Sequence, residues 1–176
     1  MTTEQIEASD RIRSYLTHQA GKSPQAIRDL VQKGQSQLLD TIEGLSEEQA
    51  TFKPEPDVWS VLEVLHHVER AKRGVVKICA SLAQGETPAG FGGEGEDRSS
   101  ETFASLAEAR AAIEAPHEEL LAFVETLSPA ANVESRYDHF IFGALNCREW
   151  AAFQRVHDGD HANQIEQVKA SPGYPA

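Results

Sequence analysis

The sequence predicts an all-α protein folded as a four-helix bundle. Four long blocks of the 176-residue chain carry apolar residues at helical spacing, which is the pattern of a helix that turns one face toward a core. Segments rich in Pro, Gly and Ser separate the blocks, and no segment shows a convincing two-residue alternation of a strand. Four such helices with short to moderate connections are typical of a bundle around one core.

The first long block begins at Ser23-Pro24, because Ser is a good N-cap and Pro suits the first helical position. Its apolar stripe extends from Ile27 to Ile42, and the block ends at Gly44. These local signals predict a helix of about five turns.

A weaker apolar pattern precedes this block and indicates a short extra helix over residues 4–19. We therefore divide the chain into three parts, of which the middle one is the helical bundle. The parts are an N-terminal extension (1–22), the bundle (23–170) and a C-terminal tail (171–176).

The second block begins at Trp59-Ser60 and continues to about Gln84, where a glycine-rich acidic loop over residues 85–100 follows. This loop contains the letters G-x-G-x-x-G. A nucleotide site of that type needs a preceding strand, whereas a helix precedes the loop, and its carboxylates would repel a phosphate. We therefore exclude a nucleotide site there.

The third block covers residues 101–127 and contains Pro116, which should start, kink or split the helix. Residues 128–147 are irregular and aromatic, and we expect a connection there. The fourth block begins near Arg148 and continues to about Lys169.

The composition excludes several classes of function. The chain has 28 acidic and 16 basic residues, a formal net charge of −12, whereas nucleic-acid binding needs a basic surface. The same charge disfavours anionic membranes. Two cysteines cannot form a disulfide framework, and no apolar segment is long enough for a secretory or membrane-spanning helix. We expect a cytoplasmic protein that binds neither nucleic acid nor membrane.

Two histidines lie at the centre of the apolar face of the fourth block. At about 100° per residue, His157 and His161 fall close to the direction of Trp150. Their i, i+4 spacing lets one helix offer two imidazoles to one metal ion. The alternative is a pair of core histidines, which would need a buried carboxylate or water as partner. We favour the metal site, although the motif HDGDH lacks the Glu of H-E-x-x-H proteases.

A third ligand is expected from the second block. His67 lies at the flank of its apolar stripe and can turn inward, whereas His66 lies almost opposite and should face solvent or a neighbouring helix. We therefore predict His67, His157 and His161 as the metal ligands. The other histidines show no pairing and are expected at the surface or in loops: His18, His117 and His139.

These motifs resemble those of the DinB-like (YfiT-like) superfamily. Its second helix typically opens with Trp-Ser and carries a ligand histidine eight residues after the Trp, which is His67 here. The segment FIFGALNCREWAAFQRVHDGDHANQI resembles the last helix of the family. The matching residues are Gly143, Glu149, Trp150, His157, His161 and Gln164. The resemblance covers about residues 24–169.

The resemblance implies a DinB-type four-helix bundle that holds one divalent ion, zinc or nickel, through three histidines. Members are frequently homodimers. Some are S-transferases that conjugate a low-molecular-weight thiol such as bacillithiol, mycothiol or glutathione to an electrophile, and one is a thiol-dependent isomerase. We therefore expect a small-molecule substrate, a thiol cosubstrate and metal-dependent S-transfer.

Two other hypotheses remain open at this stage. The same site could hydrolyse a substrate, with Asp160 or Glu63 as base, or the bundle could bind metal in a stress response without turnover. Gln164 and Asp160 are candidates for supporting the ligand histidines. Cys147 precedes the last helix, whose positive end would stabilise a thiolate.

Overall fold

The computed structural model describes residues 3–88, 102–127, 131 and 133–176, and 69% of them are helical. This confirms the prediction of an all-α protein. Within these residues there are six helices: α1 (Thr3–Ala20), α2 (Pro24–Thr41), α3 (Glu47–Thr51), α4 (Val61–Ala83), α5 (Leu106–Thr126) and α6 (Cys147–Lys169). The same part of the chain contains two strands, β1 (Tyr137–His139) and β2 (Gly143–Leu145).

Capping boxes fix where the two histidine-bearing helices begin. At the start of α4, the Ser60 hydroxyl accepts the Glu63 N–H at 3.3 Å, and the Glu63 carboxylate accepts the Ser60 N–H at 2.7 Å. At the start of α6, Asn146 and Glu149 exchange the same pair of bonds, each at 3.0 Å. Such reciprocal caps satisfy backbone donors that a helix leaves unpaired. The cap at Ser60 fixes where α4 begins, and this determines the side of the helix on which His67 lies two turns later.

Four of the helices pack in pairs, with α2 and α4 each contacting both α5 and α6. Their buried apolar residues form two clusters, one at each end of the helices. On α2, α4 and α6, buried polar residues fall between the two clusters, and we refer to them as the polar layer. The polar layer consists of Gln35, Lys72, Gln154 and Asp158.

Residues 137–145 form a small antiparallel hairpin, which the sequence analysis did not predict. Tyr137 pairs with Leu145, and His139 pairs with Gly143. Gly143 has φ of +68°, a conformation that suits Gly because it has no Cβ. Strands of three residues are too short for an alternating pattern to be recognised.

Helix α5 passes through Pro116 without interruption, so the expectation that this proline starts or splits the helix is wrong. The helix carries fully buried Ile113 and Leu120 on either side of Pro116. Packing against α4 and α2 therefore stabilises a helix that the proline alone would disfavour.

The N-terminal segment forms a full helix that packs on α6. Leu16 of α1 is fully buried, and Thr17 donates a hydrogen bond to Glu149 Oε1 at 2.8 Å. The G-x-G-x-x-G pattern lies outside the described residues. In the described part of the chain, no helix is long and apolar enough to span a membrane.

Candidate metal centre

Helices α4 and α6 bring His67, His157 and His161 together. One ring nitrogen from each lies within 4.8 Å of the others, and His67 Nε2 is 3.3 Å from His157 Nε2. The ring centroids of His157 and His161 are 4.4 Å apart, as their i, i+4 spacing predicts. These three predicted ligands therefore meet at one point.

The neighbouring histidine on α4 points elsewhere. The ring of His66 packs edge-on against Phe103, with centroids 5.4 Å apart, in the segment that leads into α5. His66 therefore lies against the segment before α5, close to the neighbouring helix that the sequence predicted but not on it.

The three-histidine group suits a divalent metal ion. With Zn–N bonds of about 2.0–2.1 Å, two nitrogens of a tetrahedral site are separated by about 3.3–3.4 Å, close to the distance between His67 Nε2 and His157 Nε2. Burial, together with the neighbouring His161 and His67, lowers the pKa of His157 well below its ordinary value. The imidazole is thus neutral, which is the form that binds metal. The group could hold a metal ion.

A hydrogen bond fixes the orientation of His161. Its Nδ1 lies 2.8 Å from Gln164 Oε1, and because an amide oxygen only accepts, Nδ1 carries the proton and donates. Nε2 is then the nitrogen with a lone pair available for a metal. Ligand histidines in metal sites commonly donate their second N–H in this way. The structure therefore places Gln164 where the sequence analysis expected a supporting residue.

The two carboxylates considered as bases are engaged in other ways. Glu63 accepts the Ser60 N–H and also pairs with Lys53 at 2.8 Å. Burial favours a higher pKa for Glu63, but these bonds and the lysine charge outweigh it and lower the pKa. Asp160 is exposed and lines a surface groove with Arg155 and other residues of α1, α2 and α6. Burial raises its pKa, against the charges of His161 and Arg155.

Aromatic rings surround two of the histidines. Half-buried Trp59 lies against His67, with ring centroids 5.1 Å apart, and Phe153 lies 5.6 Å from His157. Trp150 is buried and donates its indole N–H to the Tyr137 carbonyl at 3.2 Å. The walls of the site are therefore largely apolar.

His139 is buried rather than at the surface, which corrects the expectation from sequence. Its Nδ1 accepts the backbone N–H groups of Ile141 at 3.1 Å and Phe142 at 3.3 Å. Its ring contacts Phe153, with centroids 4.6 Å apart. Burial lowers its pKa to about 4. The hairpin, which the sequence did not predict, creates this environment.

His117 is also buried, contrary to expectation, whereas His18 is exposed as predicted. His117 Nε2 lies 3.4 Å from Gln32 Oε1 on α2. Burial, with the charges of Lys72 and Arg28, lowers its pKa to about 4. Both corrections concern histidines that are buried by tertiary contacts and not by the apolar pattern of their own segment.

Cys147 does not have the stabilised thiolate that its position at the start of α6 predicted. Burial raises its pKa, and the opposing charge of Arg148 is not sufficient to reverse this. The Cys79 thiol donates to the Cys147 carbonyl at 3.4 Å, and burial also raises the pKa of Cys79. Both thiols therefore serve packing.

Comparison with known families agrees with this geometry. Residues 30–165 match the model of the DinB superfamily. The chain belongs to the DinB superfamily. The match includes all three histidines and Gln164, and it leaves α1 of this DinB-superfamily chain outside. A search of curated proteins gives no match.

Proposed function

We propose that this DinB-superfamily protein is a metal-dependent S-transferase that conjugates a low-molecular-weight thiol to an electrophilic small molecule. The observation that carries the proposal is the convergence of three imidazole nitrogens, from two helices, within 4.8 Å. Three protein ligands leave further coordination positions open, which is typical of catalytic rather than structural sites. We place this site in a DinB-type four-helix bundle.

A divalent ion at this site, zinc or nickel, would supply the positive charge that lowers the pKa of a coordinated thiol. In the transfer, the thiol sulfur forms a bond to the electrophilic carbon while the bond to the leaving group breaks. The thiol proton passes to solvent. The chain holds His157 neutral by burial, orients His161 through Gln164, and provides apolar walls at Trp59 and Phe153.

Hydrolysis at the same site has less support. A hydrolase needs a base to take a proton from water, but Glu63 is committed to the helix cap and Lys53, and Asp160 lies on an exposed groove. A thiol cosubstrate brings its own nucleophile and needs no such base. Metal binding without turnover is the remaining alternative, and a thiol-dependent rate distinguishes it from S-transfer.

Metal content is the first test. We expect elemental analysis of untagged protein to find about one zinc or nickel ion per chain, and none in the His157→Ala/His161→Ala variant. A matched control, His18→Ala/His66→Ala, removes two histidines outside the group and should keep the ion. Wild-type protein that takes up no metal, even after metal is added, would refute the metal site.

Activity is tested with glutathione, bacillithiol or mycothiol as thiol and monochlorobimane as electrophile, from which chloride leaves. We expect a thiol-dependent rate that disappears on chelation and in His161→Ala. Conjugation that survives metal removal would contradict the proposal. Metal binding with no thiol-dependent rate would favour the non-catalytic alternative, and ester hydrolysis without thiol would favour the hydrolase.

The partner and location predictions are part of the same proposal. We propose a homodimer that acts on a small molecule in the cytoplasm. Light scattering during size-exclusion chromatography measures the mass directly. Twice the chain mass of 19.3 kDa is the expected result, and a mass of one chain would contradict it.

A further inference from the structure

A buried ion pair links the same two helices that carry the three histidines. Lys72 Nζ on α4 donates to Asp158 Oδ2 on α6 at 3.1 Å, and both side chains are fully buried. Lys72 also donates to Gln35 on α2, and Gln154 Nε2 donates to Asp158 Oδ1 at 2.7 Å. The polar layer thus connects α2, α4 and α6 at the boundary of the two apolar clusters.

Stability alone does not account for this pair. Removing two charges from water costs several kcal/mol per ion, and well-packed apolar replacements are often equally or more stable. Burial lowers the pKa of Lys72 against the opposing effect of Asp158, because the charged form of the lysine is costly to remove from water. Buried polar groups of this kind can instead fix one alignment of helices, as a single buried Asn does in coiled coils.

The ion pair and the histidine group depend on the same alignment. Lys72 follows His67 by five residues on α4, and Asp158 follows His157 directly on α6. A slide of α4 along α6 by one residue, about 1.5 Å, would break the 3.1 Å bond and change the 3.3 Å separation of the two Nε2 atoms. Apolar contacts at either end tolerate such slides better because they have no direction.

Close packing of α2 on α6 brings Gln35 of α2 to the polar layer. A Cβ on Gly34 would lie 3.1 Å from Arg155 Cα, so the glycine allows the two backbones to approach. The next residue, Gln35, then reaches the Lys72 ammonium group. The ammonium is therefore held from two sides, by α2 and by α6.

We propose that the polar layer, through Lys72 and Asp158, sets the alignment of α4 on α6 and thereby the spacing of the three histidine ligands. These are positioning residues that act through the ligands. The inference rests on the proposed metal site for its consequence, but the alignment itself can be measured without metal.

The test uses Lys72→Met/Asp158→Asn, which removes both charges and leaves an amide oxygen at position 158 as an acceptor for Gln154. We expect Zn²⁺ to bind this variant roughly 10- to 100-fold more weakly than wild type, the range seen when groups supporting metal ligands are lost. The visible spectrum of bound Co²⁺ should change as well. The control is Leu121→Ala, a core truncation on α5, which should unfold at a lower temperature but bind Zn²⁺ as wild type does.

A second measurement needs no metal. Spin labels at exposed Lys77 on α4 and Asn163 on α6 report the distance between the helices. We expect a shifted or broader distance distribution in Lys72→Met/Asp158→Asn and the wild-type distribution in Leu121→Ala. If the double variant does not fold, Gln35→Met, which keeps the ion pair, should show the same changes to a smaller extent.

The outcomes separate the two proposals. Wild-type protein that binds no Zn²⁺ refutes the metal site. The distances between the spin labels still test whether the polar layer sets the alignment of α4 on α6. Unchanged Zn²⁺ affinity and unchanged distances in the double variant overturn the role of the polar layer. Equal losses in Leu121→Ala also overturn it, because they would show that any loss of packing loosens the site.

Discussion

The chain contains two kinds of histidine with a lowered pKa, of which His139 is buried and His157 is half-buried. His139 in the hairpin and His157 on α6 both have a pKa lowered by burial. The difference lies in what their ring nitrogens meet. His139 Nδ1 accepts two backbone N–H groups, whereas His157 Nε2 faces His67 Nε2 at 3.3 Å.

This difference separates a histidine of a group that could hold a metal ion from a histidine of the core. Within the described residues, no group hydrogen-bonds to His157 Nδ1. Its Nε2 faces the equivalent nitrogen of the His67 ring. Two ring nitrogens that face each other in this way form a hydrogen bond only if one of them carries a proton and donates it to the other. Convergence of ring nitrogens, rather than burial or a lowered pKa, is therefore the feature that marks a group that could hold a metal ion.

The largest expected effect comes from substituting one histidine of each kind. His67→Ala should reduce Zn²⁺ affinity by more than about 100-fold, beyond the loss caused by removing a supporting group. His139→Leu should leave Zn²⁺ stoichiometry and affinity unchanged, because His139 ligates nothing in our proposal. Isothermal titration calorimetry with Zn²⁺ measures both. Equal losses in the two variants would remove the distinction.

The local part of the fold could be predicted from sequence. Ser23 caps α2 through the Ala26 N–H at 3.2 Å, and Pro24 occupies the first helical position as predicted. Ser60 likewise caps α4. These signals lie within four residues of each other, so no tertiary information is needed. The hairpin depends on packing and was not predicted. The short helix α3 was not predicted either, although Ser46 and Gln49 form a capping box at its start.

The same division applies to the candidate site. His157 and His161 share a helix, so their spacing alone predicted that they lie together. The prediction for His67 needed only its position at the flank of the apolar stripe of its own helix. Lys72 and Asp158 gave no such signal, because a charged residue between apolar ones indicates a solvated face unless its partner on another helix is known. Long-range pairing is what the single sequence could not supply.

A smaller effect is expected in the pH dependence of the free energy of unfolding, to which His139 contributes. The pKa of His139 falls from 6.5 to about 4 on folding, so below pH 6.5 the unfolded chain takes up a proton that the folded chain refuses. Its contribution to stability is therefore present above pH 6.5 and is lost as the pH falls toward 4. The loss amounts to about 3 kcal/mol.

Chemical denaturation of metal-free protein at pH 7 and pH 4.5 measures this effect. His139→Leu should be less stable than wild type at pH 7, since Ile141 and Phe142 lose their acceptor, but its stability should fall less between the two pH values. His18→Leu, at an exposed position, serves as control and should keep the wild-type dependence. An unchanged pH dependence in His139→Leu would show that this histidine is not buried in its neutral form.

The smallest expected effect concerns the residue that orients one of the proposed ligands. Gln164 accepts the His161 Nδ1–H at 2.8 Å, so Gln164→Leu should weaken Zn²⁺ binding by about 10-fold. Gln164→Glu keeps the acceptor and should restore affinity, whereas Gln167→Leu changes an exposed glutamine on the same helix and should have no effect. If Gln164→Leu binds Zn²⁺ as wild type does, His161 is oriented by packing alone.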